Sequence, residues 1–237
     1  MPRFGYPPQG AGLSSVLTIG GQLLRPGINL YESWQDETGI DPAVWTVTDP
    51  VAGTAWARGA VGELLMASVA PNASLSARLR SNQRWVVSPG LYSPSRILRK
   101  FNLEFEMHIV NLLANLDPVT FFLGLTAGIA DVRTVDNIMG WALQVVGGIN
   151  KLQSLTDAGS AEVTNTGFGE NFTLTNKLKM EISYNSCKFY LNEVLKATHI
   201  TNLPDAPFYI NFFIPTNAGG AATFRLGTVR AWLEDVS

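Results

Sequence analysis

Cysteine and charged residues are both scarce in this sequence of 237 residues. Cys187 is the only cysteine, which excludes an intrachain disulfide and a multi-cysteine zinc site, so we expect a buried thiol. Charged residues make up only 15% of the chain and the net charge is −2, which gives no long-range attraction to nucleic acid or to an anionic membrane. We therefore expect no cofactor and no nucleic-acid partner.

A long apolar run and a secretory signal are also missing. No apolar run approaches the ~20 residues that a membrane-spanning helix needs. The amino terminus lacks the charged start and apolar core of a signal peptide. We therefore expect no membrane partner, and a protein made in a reducing cytoplasm in which the sequons at Asn72 and Asn171 stay unmodified.

The sequence does contain a series of short alternating segments. Hydrophobic residues make up 46% of it, with 22 glycines and 13 prolines, which is a turn-rich globular composition. In FNLEFEMHIV (101–110), apolar residues alternate with Asn102, Glu104, Glu106 and His108. This alternation predicts a strand with one face in a core and the other in water. Similar segments, separated by Gly, Asn, Asp and Pro, span 119–128, 140–148, 172–184, 207–215 and 223–234.

The segment KMEISYNSCKFYLNEVLKATHI (179–200) predicts three strands joined by two tight turns, the second at Asn192 and Glu193. The sequence shows no convincing helical periodicity and no repeat of fixed period, which excludes propellers and solenoids. We therefore predict an all-β fold, an antiparallel two-sheet jelly-roll sandwich with an extended N-terminal arm.

The predicted arm covers residues 1–28 and precedes a β-sandwich domain at 29–237. Prolines and glycines break every long element in the arm, while apolar residues are scattered between them. Burial of such side chains against a neighbouring subunit would hold the arm in place. The predicted assembly contacts are Phe4, Tyr6, Leu13, Val16, Leu17 and Ile19.

Several segments resemble the concanavalin A-like lectin/glucanase superfamily. LYESWQDETGIDPAVWTVT (30–48) is similar to its opening strand, and GELLMASVAPNASLSARLRS (62–81) to its next hairpin. KMEISYNSCKFYLNEVLKA (179–197) resembles its meander hairpin, and GTVRAWLE (227–234) its closing strand. The resemblance covers roughly residues 30–235 and implies a jelly-roll domain. We expect a member associated with a bacteriophage virion.

The glucanases of this superfamily carry a Glu-x-Asp-x-(x)-Glu strand, in which one glutamate is the nucleophile and another is the acid/base. The nearest candidates here are Glu104, Glu106 and His108, which strand periodicity places on one face about 7 Å apart. A retaining pair needs carboxyl groups about 5–5.5 Å apart, and the intervening aspartate is replaced by Phe105. We therefore interpret these residues as a solvated polar face and predict no catalytic residues.

Metal and sugar sites are alternatives. An acidic segment offers the oxygen ligands that calcium prefers but lacks the regular Asp-x-Asp-x-Asp-Gly spacing, so we predict a solvated loop and no metal. Its acids are Glu32, Asp36, Glu37, Asp41 and Asp49. Sugar binding would need an exposed ring near an Asn-rich loop such as 163–176, although tryptophan in a sandwich is more often core. The candidate rings are Trp34, Trp45, Trp56, Trp85, Trp141 and Trp232.

Residues 78–100 contain basic residues and no acid. A solvated face is the simplest interpretation, and docking on an acidic neighbour is the alternative. The residues are Arg78, Arg80, Arg84, Arg96, Arg99 and Lys100.

Taken together, these features predict a non-catalytic structural protein rather than an enzyme. We expect a virion component made in the host cytoplasm, such as a capsid-decoration, capsid-associated or tail protein, anchored by its N-terminal arm. Its expected partners are neighbouring capsid or tail subunits, in a homo-oligomer or in many copies on a lattice. The alternative is a carbohydrate-binding, lectin-like module with glycan partners, and a glycan hydrolase ranks third.

Overall fold

The computed structural model describes the ranges 17–19, 22–24, 30–34, 40–48, 56–58, 62–67, 76–86, 99–111, 119–128, 137–146, 149–159, 161–165, 175–183, 185–204, 207–215 and 223–235. Within these ranges no helix is long and apolar enough to cross a membrane.

All the regular elements of the described ranges are strands. The first nine are β1 (Leu17–Ile19), β2 (Gln22–Leu24), β3 (Leu30–Glu32), β4 (Trp45–Thr48), β5 (Trp56–Arg58), β6 (Leu64–Ala67), β7 (Ser76–Val86), β8 (Arg99–Asn111) and β9 (Val119–Thr126). The remaining eight are β10 (Ile138–Val146), β11 (Ile149–Asp157), β12 (Ala161–Asn165), β13 (Asn176–Ser183), β14 (Ser186–Leu191), β15 (Val194–His199), β16 (Pro207–Pro215) and β17 (Thr223–Asp235).

Two antiparallel sheets form the body of the protein. Sheet I has the strand order β12-β11-β10-β9-β16-β7-β4. Sheet II has the order β15-β14-β13-β8-β17-β6-β5, and β3 also pairs with β17. The predicted antiparallel jelly-roll sandwich is confirmed, because the two sheets pack face to face over one apolar core.

Alternation along the strands decides which side chains enter this core. In β13 the pattern of burial changes at every residue, so that Leu178, Met180 and Ile182 point inward. In β8 the apolar residues Phe101, Leu103, Phe105 and Met107 enter the core, while the polar residues between them include Asn102 and Glu104, which are also buried. Because side chains of a strand point to opposite faces in turn, each inward apolar residue fixes a polar neighbour on the outer face.

Aromatic pairs join the two sheets across the described core. In each pair one ring comes from sheet I and the other from sheet II, and most pairs meet edge to face. The pairs, with their ring-centroid distances, are Phe105–Phe212 (6.0 Å), Phe121–Phe224 (5.1 Å), Trp141–Phe189 (5.4 Å) and Trp85–Phe101 (5.3 Å). Such pairs contribute about 0.5–1.5 kcal/mol each beyond the burial of their surface.

One buried histidine makes a polar link between the sheets. His199 lies at the end of β15 in sheet II and is fully buried against the ring of Phe189. Its Nε2 lies 2.9 Å from Ser154 Oγ and its Nδ1 lies 2.9 Å from Thr156 Oγ1, both on β11 of sheet I. Since a neutral imidazole has one donor and one acceptor, the two hydroxyls satisfy both nitrogens. This contact is structural, because no part of the ring reaches solvent.

The predicted three-strand meander is confirmed as β13, β14 and β15, and its Cys187 is buried, as predicted. Asn192 and Glu193 have φ angles of 50° and 67°, the left-handed values that a two-residue hairpin turn requires. Asn192 Oδ1 accepts a hydrogen bond from the Lys177 amide (2.8 Å), which ties the turn to β13. The hydrogen bond between Lys177 Nζ and Glu193 lowers the pKa of Glu193 and raises the pKa of Lys177.

The predicted arm is described only between residues 17 and 24, where β1 and β2 pair as a short hairpin with Leu17 opposite Leu24. Two of the predicted assembly contacts, Leu17 and Ile19, lie in β1. The other four, Phe4, Tyr6, Leu13 and Val16, lie outside the described residues. The assembly contacts and the domain boundary near residue 28 stay predictions.

We expect His199→Ala to lower the free energy of unfolding by about 2–5 kcal/mol, because it removes two buried hydrogen bonds and leaves a cavity. Urea denaturation measures this loss. Thr198→Ala, at the exposed neighbouring position, is the control and is expected to change stability by less than about 0.5 kcal/mol. Equal losses in the two variants would contradict a structural role for the histidine link.

Candidate functional site

The outer face of β8 carries the acidic residues that the sequence singled out. The structure places Glu104, Glu106 and His108 together on this face, as the alternation predicts. Glu104 is nearly buried, and its carboxylate is ion-paired with Lys177 Nζ at 3.3 Å. Glu106 and His108 are half-buried and line a common cavity. The three residues therefore have different roles, and only Glu106 and His108 open onto a cavity.

An irregularity in β17 fixes the position of Glu106. The register with β8 shifts at Gly227 and Thr228, which form a bulge in an otherwise continuous ladder. The Gly227 carbonyl accepts a hydrogen bond from Trp34 Nε1 at 2.6 Å. On the other side of the bulge, the Thr228 amide donates to Glu106 Oε2 at 3.4 Å. The bulge thus connects a buried tryptophan to a carboxylate on the outer face.

A second glutamate approaches the same cavity from the opposite side of β17. Glu63 directly precedes β6, and its carboxylate accepts a bond of 3.2 Å from Arg225 Nη1. Because β6 and β8 flank β17, about 9–10 Å separates the backbones that carry Glu63 and Glu106. A Cβ atom on Gly227 would lie 3.1 Å from Glu106 Oε2, so the glycine leaves the gap between the glutamates open.

We call this cavity of about 230 Å³ the glutamate cleft. It is lined by Gly62, Glu63, Glu106, Met107, His108, Thr175, Arg225 and Gly227. Carboxyl pairs that cleave glycosidic bonds are about 5–5.5 Å apart in retaining enzymes and about 6.5–9.5 Å apart in inverting ones. Two glutamate side chains that extend toward each other from strands about 9–10 Å apart can reach this range.

Next to the cleft, one row of side chains crosses five strands of sheet II. The strand registers align Tyr31, Arg230, Glu104, Lys179 and Tyr190 in this order, and we call the row the aromatic rung. The Arg230 guanidinium lies 5.2 Å from the Tyr31 ring centroid, and Lys179 Nζ lies 5.5 Å from that of Tyr190. Burial raises the pKa of the Tyr190 hydroxyl further above its ordinary value. The rung therefore presents a ring at each end with charged groups between.

A cavity of about 340 Å³ lies at the Tyr31 end of the rung. Leu30, Tyr31, Arg230, Ala231 and Trp232 line it. Tyr31 is 53% exposed, and the half-buried Trp232 ring lies 5.7 Å from Lys179 Nζ. Rings with an apolar face beside fixed donors and acceptors are typical of sites that bind small polar ligands.

The cations of this face are matched by carboxylates. Lys177 bridges Glu104 and Glu193, and Lys179 and Lys188 each lie 3.9 Å from Glu181. The outer face of sheet II is therefore polar without a strong excess of one charge, which suits a neutral ligand.

Two acids of the segment considered for calcium accept hydrogen bonds from other groups of the protein. Glu32 Oε1 accepts from the Trp34 amide and Glu32 Oε2 from Trp45 Nε1, while Asp41 Oδ1 accepts from the Ala43 amide. The remaining candidates, Asp36, Glu37 and Asp49, lie outside the described residues. Across the described ranges, no cluster of three or more His, Cys, Asp or Glu could hold a metal ion.

The tryptophans follow the expectation that most are core residues. Trp34, Trp45, Trp85 and Trp141 are buried, and Trp232 alone among those with a described side chain lies on an outer face. The side chain of Trp56 lies outside the described residues, as does most of the Asn-rich segment 163–176.

The sequence reasoning missed Glu63, Arg225, Gly227, Tyr31 and Arg230. They are distant in sequence and meet only because β3, β6 and β8 all pair with β17. The polar positions of GTVRAWLE alternate with apolar ones, and this alternation could have placed Arg230 and Trp232 on one outer face.

Comparison of the sequence with protein-family models and with curated proteins finds no match. Solved structures do match. A Bacillus licheniformis β-glucanase is 15% identical with a TM-score of 0.58, over 88% of this chain and 99% of that chain. A β-1,3-glucanase from Mycobacterium marinum is 9% identical with a TM-score of 0.58, over 88% and 99%. The apo Crh5 transglycosylase is 9% identical with a TM-score of 0.55, over 88% and 85%.

These likenesses show that the chain has the jelly-roll fold of the solved structures it matches, and they correct the predicted function. The prediction of a non-catalytic virion component is wrong, and so is the prediction that the chain is not an enzyme. The matching structures named above are two glucanases and a transglycosylase rather than capsid or tail proteins. Carboxylates were sought along one strand only, and such a search could not bring together Glu63, which precedes β6, and Glu106 on β8, which line one cavity.

We expect Trp34→Phe to lower the free energy of unfolding by about 1–3 kcal/mol more than Trp85→Phe does, as measured by urea denaturation. Both tryptophans are buried, and both changes remove the same atoms. Only Trp34 Nε1 has an acceptor, the Gly227 carbonyl, while Trp85 Nε1 is buried with no hydrogen-bond partner among the described residues. Equal losses would show that the hydrogen bond does not stabilise the bulge.

Proposed function

We propose that this chain is a glycan-binding domain whose binding site is the outer face of sheet II. The observation that carries the proposal is the aromatic rung with its 340 Å³ cavity, where an exposed tyrosine and a half-buried tryptophan flank Arg230. A sugar ring packs its C–H face on an aromatic side chain, while neighbouring charged groups exchange hydrogen bonds with its hydroxyls. The likeness of the fold to glucanases supports the choice of a sugar as the ligand.

The ligand that fits this face is a neutral polysaccharide. The described cations of this face are largely paired with glutamates. The face therefore offers donors on its cations and acceptors on its carboxylates, without a net charge that would attract a charged ligand. The rung spans five strands, or about 19 Å at the usual strand spacing, which is long enough for several sugar units.

We expect Tyr31→Ala and Trp232→Ala each to weaken binding of a β-glucan by about tenfold or more, because each removes a ring of the site. Affinity electrophoresis and calorimetry with soluble β-1,3-glucan and mixed-linkage β-1,3-1,4-glucan measure the effect. Ile200→Ala removes an exposed apolar side chain that belongs to neither the aromatic rung nor its cavity, and it is the control. Failure to bind either glucan, or equal weakening by the control, would contradict the proposal.

Hydrolysis of a glycosidic bond is a second candidate function, favoured by the glutamate cleft. Glu63 and Glu106 line one cavity on either side of a glycine. One carboxyl group can protonate the leaving oxygen while the other activates water or attacks the anomeric carbon. His108 lines the same cavity and offers a further group for proton transfer.

We expect Glu63→Gln and Glu106→Gln each to reduce hydrolysis of the same glucans by at least about 100-fold, measured as release of reducing ends. Glu234→Gln, on the exposed part of β17, is the matched control and is expected to retain activity. Hydrolysis that persists in both cleft variants, or no hydrolysis by the unaltered protein, would contradict a catalytic role for the cleft. Neither outcome bears on glycan binding at the aromatic rung, which has its own experiment.

A further inference from the structure

The outer face of sheet I carries a second arrangement of arginine and aromatic side chains. The register of β7 and β16 places Arg84 opposite Tyr209 and Arg80 opposite Asn211. Both arginines belong to the acid-free stretch of the sequence, and their strand lies on the opposite sheet from the aromatic rung. This arrangement is therefore separate from the proposed glycan site.

A bulge in β7 brings the two arginines together. Three residues of β7, from Ser81 to Gln83, lie where β16 has only Ile210. Ser81 Oγ fills the irregularity, since it accepts from the Ile210 amide (3.0 Å) and donates to the Gln83 carbonyl (2.8 Å). In a regular strand, residues 80 and 84 would be about 13 Å apart, whereas their partners on β16 are only two residues, or about 7 Å, apart.

The two guanidinium groups share one aromatic ring. The Arg80 guanidinium carbon lies 4.5 Å from the Tyr209 ring centroid, and that of Arg84 lies 4.6 Å from the same centroid. Cation–π contact of this kind orients a guanidinium while it leaves N–H groups at the edge available. Tyr209 therefore holds two donors of bidentate hydrogen bonds against one ring.

No carboxylate of the described chain is paired with Arg80 or Arg84, in contrast to the matched charges on sheet II. Arg80 Nε is buried and has no hydrogen-bond partner among the described residues. Two positive charges held against one ring repel each other, and a bound oxyanion would offset this repulsion through charge-assisted hydrogen bonds. The geometry is thus arranged for an anionic group.

We propose that Arg80, Arg84 and Tyr209 form a binding site for the oxyanion of an acidic polysaccharide, either a uronate carboxylate or a sulfate ester. Tyr209 holds the two guanidinium groups in place, and the guanidinium groups bind the oxyanion. The choice of a polysaccharide over another polyanion rests on the proposed glycan-directed function, whereas the anion selectivity rests on the arginine pair alone.

The test compares four probes by affinity electrophoresis and calorimetry at low and moderate salt. Polygalacturonate carries carboxylates, dextran sulfate carries sulfates, and uncharged dextran carries neither. Oligo-deoxythymidine is a polyanion that is not a polysaccharide. We expect binding to one or both acidic polysaccharides and none to dextran. Preference for polygalacturonate assigns the carboxylate, and preference for dextran sulfate assigns the sulfate.

We expect Arg84→Gln and Arg80→Gln each to weaken this binding by about tenfold or more. Arg84→Lys is expected to restore little of it, because an ammonium cannot form the bidentate contact. Lys196→Gln makes the same change of charge at an exposed position on β15 and is expected to bind normally. Because Arg84 is exposed, its variants keep the test valid even where Arg80→Gln does not fold.

Three outcomes would overturn the inference: no binding of either acidic polysaccharide, unchanged binding by both arginine variants, or equally tight binding of oligo-deoxythymidine. These outcomes are distinct from failure of the proposed function. The arginine variants are expected to bind neutral β-glucan normally, and Tyr31→Ala is expected to bind the acidic polysaccharide normally.

Discussion

The aromatic pairs between the two sheets are the contacts on which the rest of the structure depends. Each pair joins a ring of sheet I to a ring of sheet II, as in Phe105 with Phe212 and Trp141 with Phe189. Because a strand alternates strictly, a ring that is fixed inward also fixes the direction of its neighbours. Phe105 in the core is the reason that Glu104 and Glu106 stand on the outer face. The packing of the core thus determines which side chains lie on the outer faces.

Local alternation was enough to predict much of this fold. Phe101, Leu103, Phe105 and Met107 lie on the predicted core face of β8, and the meander from 179 to 200 has its predicted strands and its turn at Asn192 and Glu193. These features depend on neighbours within a few residues, which a single sequence displays. The lone thiol of Cys187 is buried for the same reason, since it alternates with exposed positions in β14.

The candidate sites could not be predicted in this way, because they depend on register between distant strands. Glu63 and Glu106 come together only through β17, and Arg80 and Arg84 come together only through β16. In both places a bulge changes the register locally. In β17 the isolated Gly227 marks the bulge, because the apolar residues change from even to odd positions there, whereas β7 shows no comparable signal. A search for carboxylates along one strand likewise could not bring together Glu63 and Glu106.

The two bulges place chemistry of different character on the two sides of the molecule. Around Gly227, acidic and basic side chains alternate and neutralise one another. Around Tyr209, positive charge is concentrated on one ring. Bulges are enriched near functional sites because they redirect side chains without disturbing the remaining ladder, and both bulges here have this effect.

The alternation of each strand has a practical consequence for protein engineering. Inward residues are shared by the whole core, whereas exposed outward residues of the described strands, such as Arg84 on β7 and Lys196 on β15, belong to one sheet each. Such positions on one sheet can therefore be diversified in a library while the other sheet is left untouched, provided that the buried outward cluster of sheet I is kept. The sandwich is for this reason a natural starting scaffold for a reagent with two independent specificities.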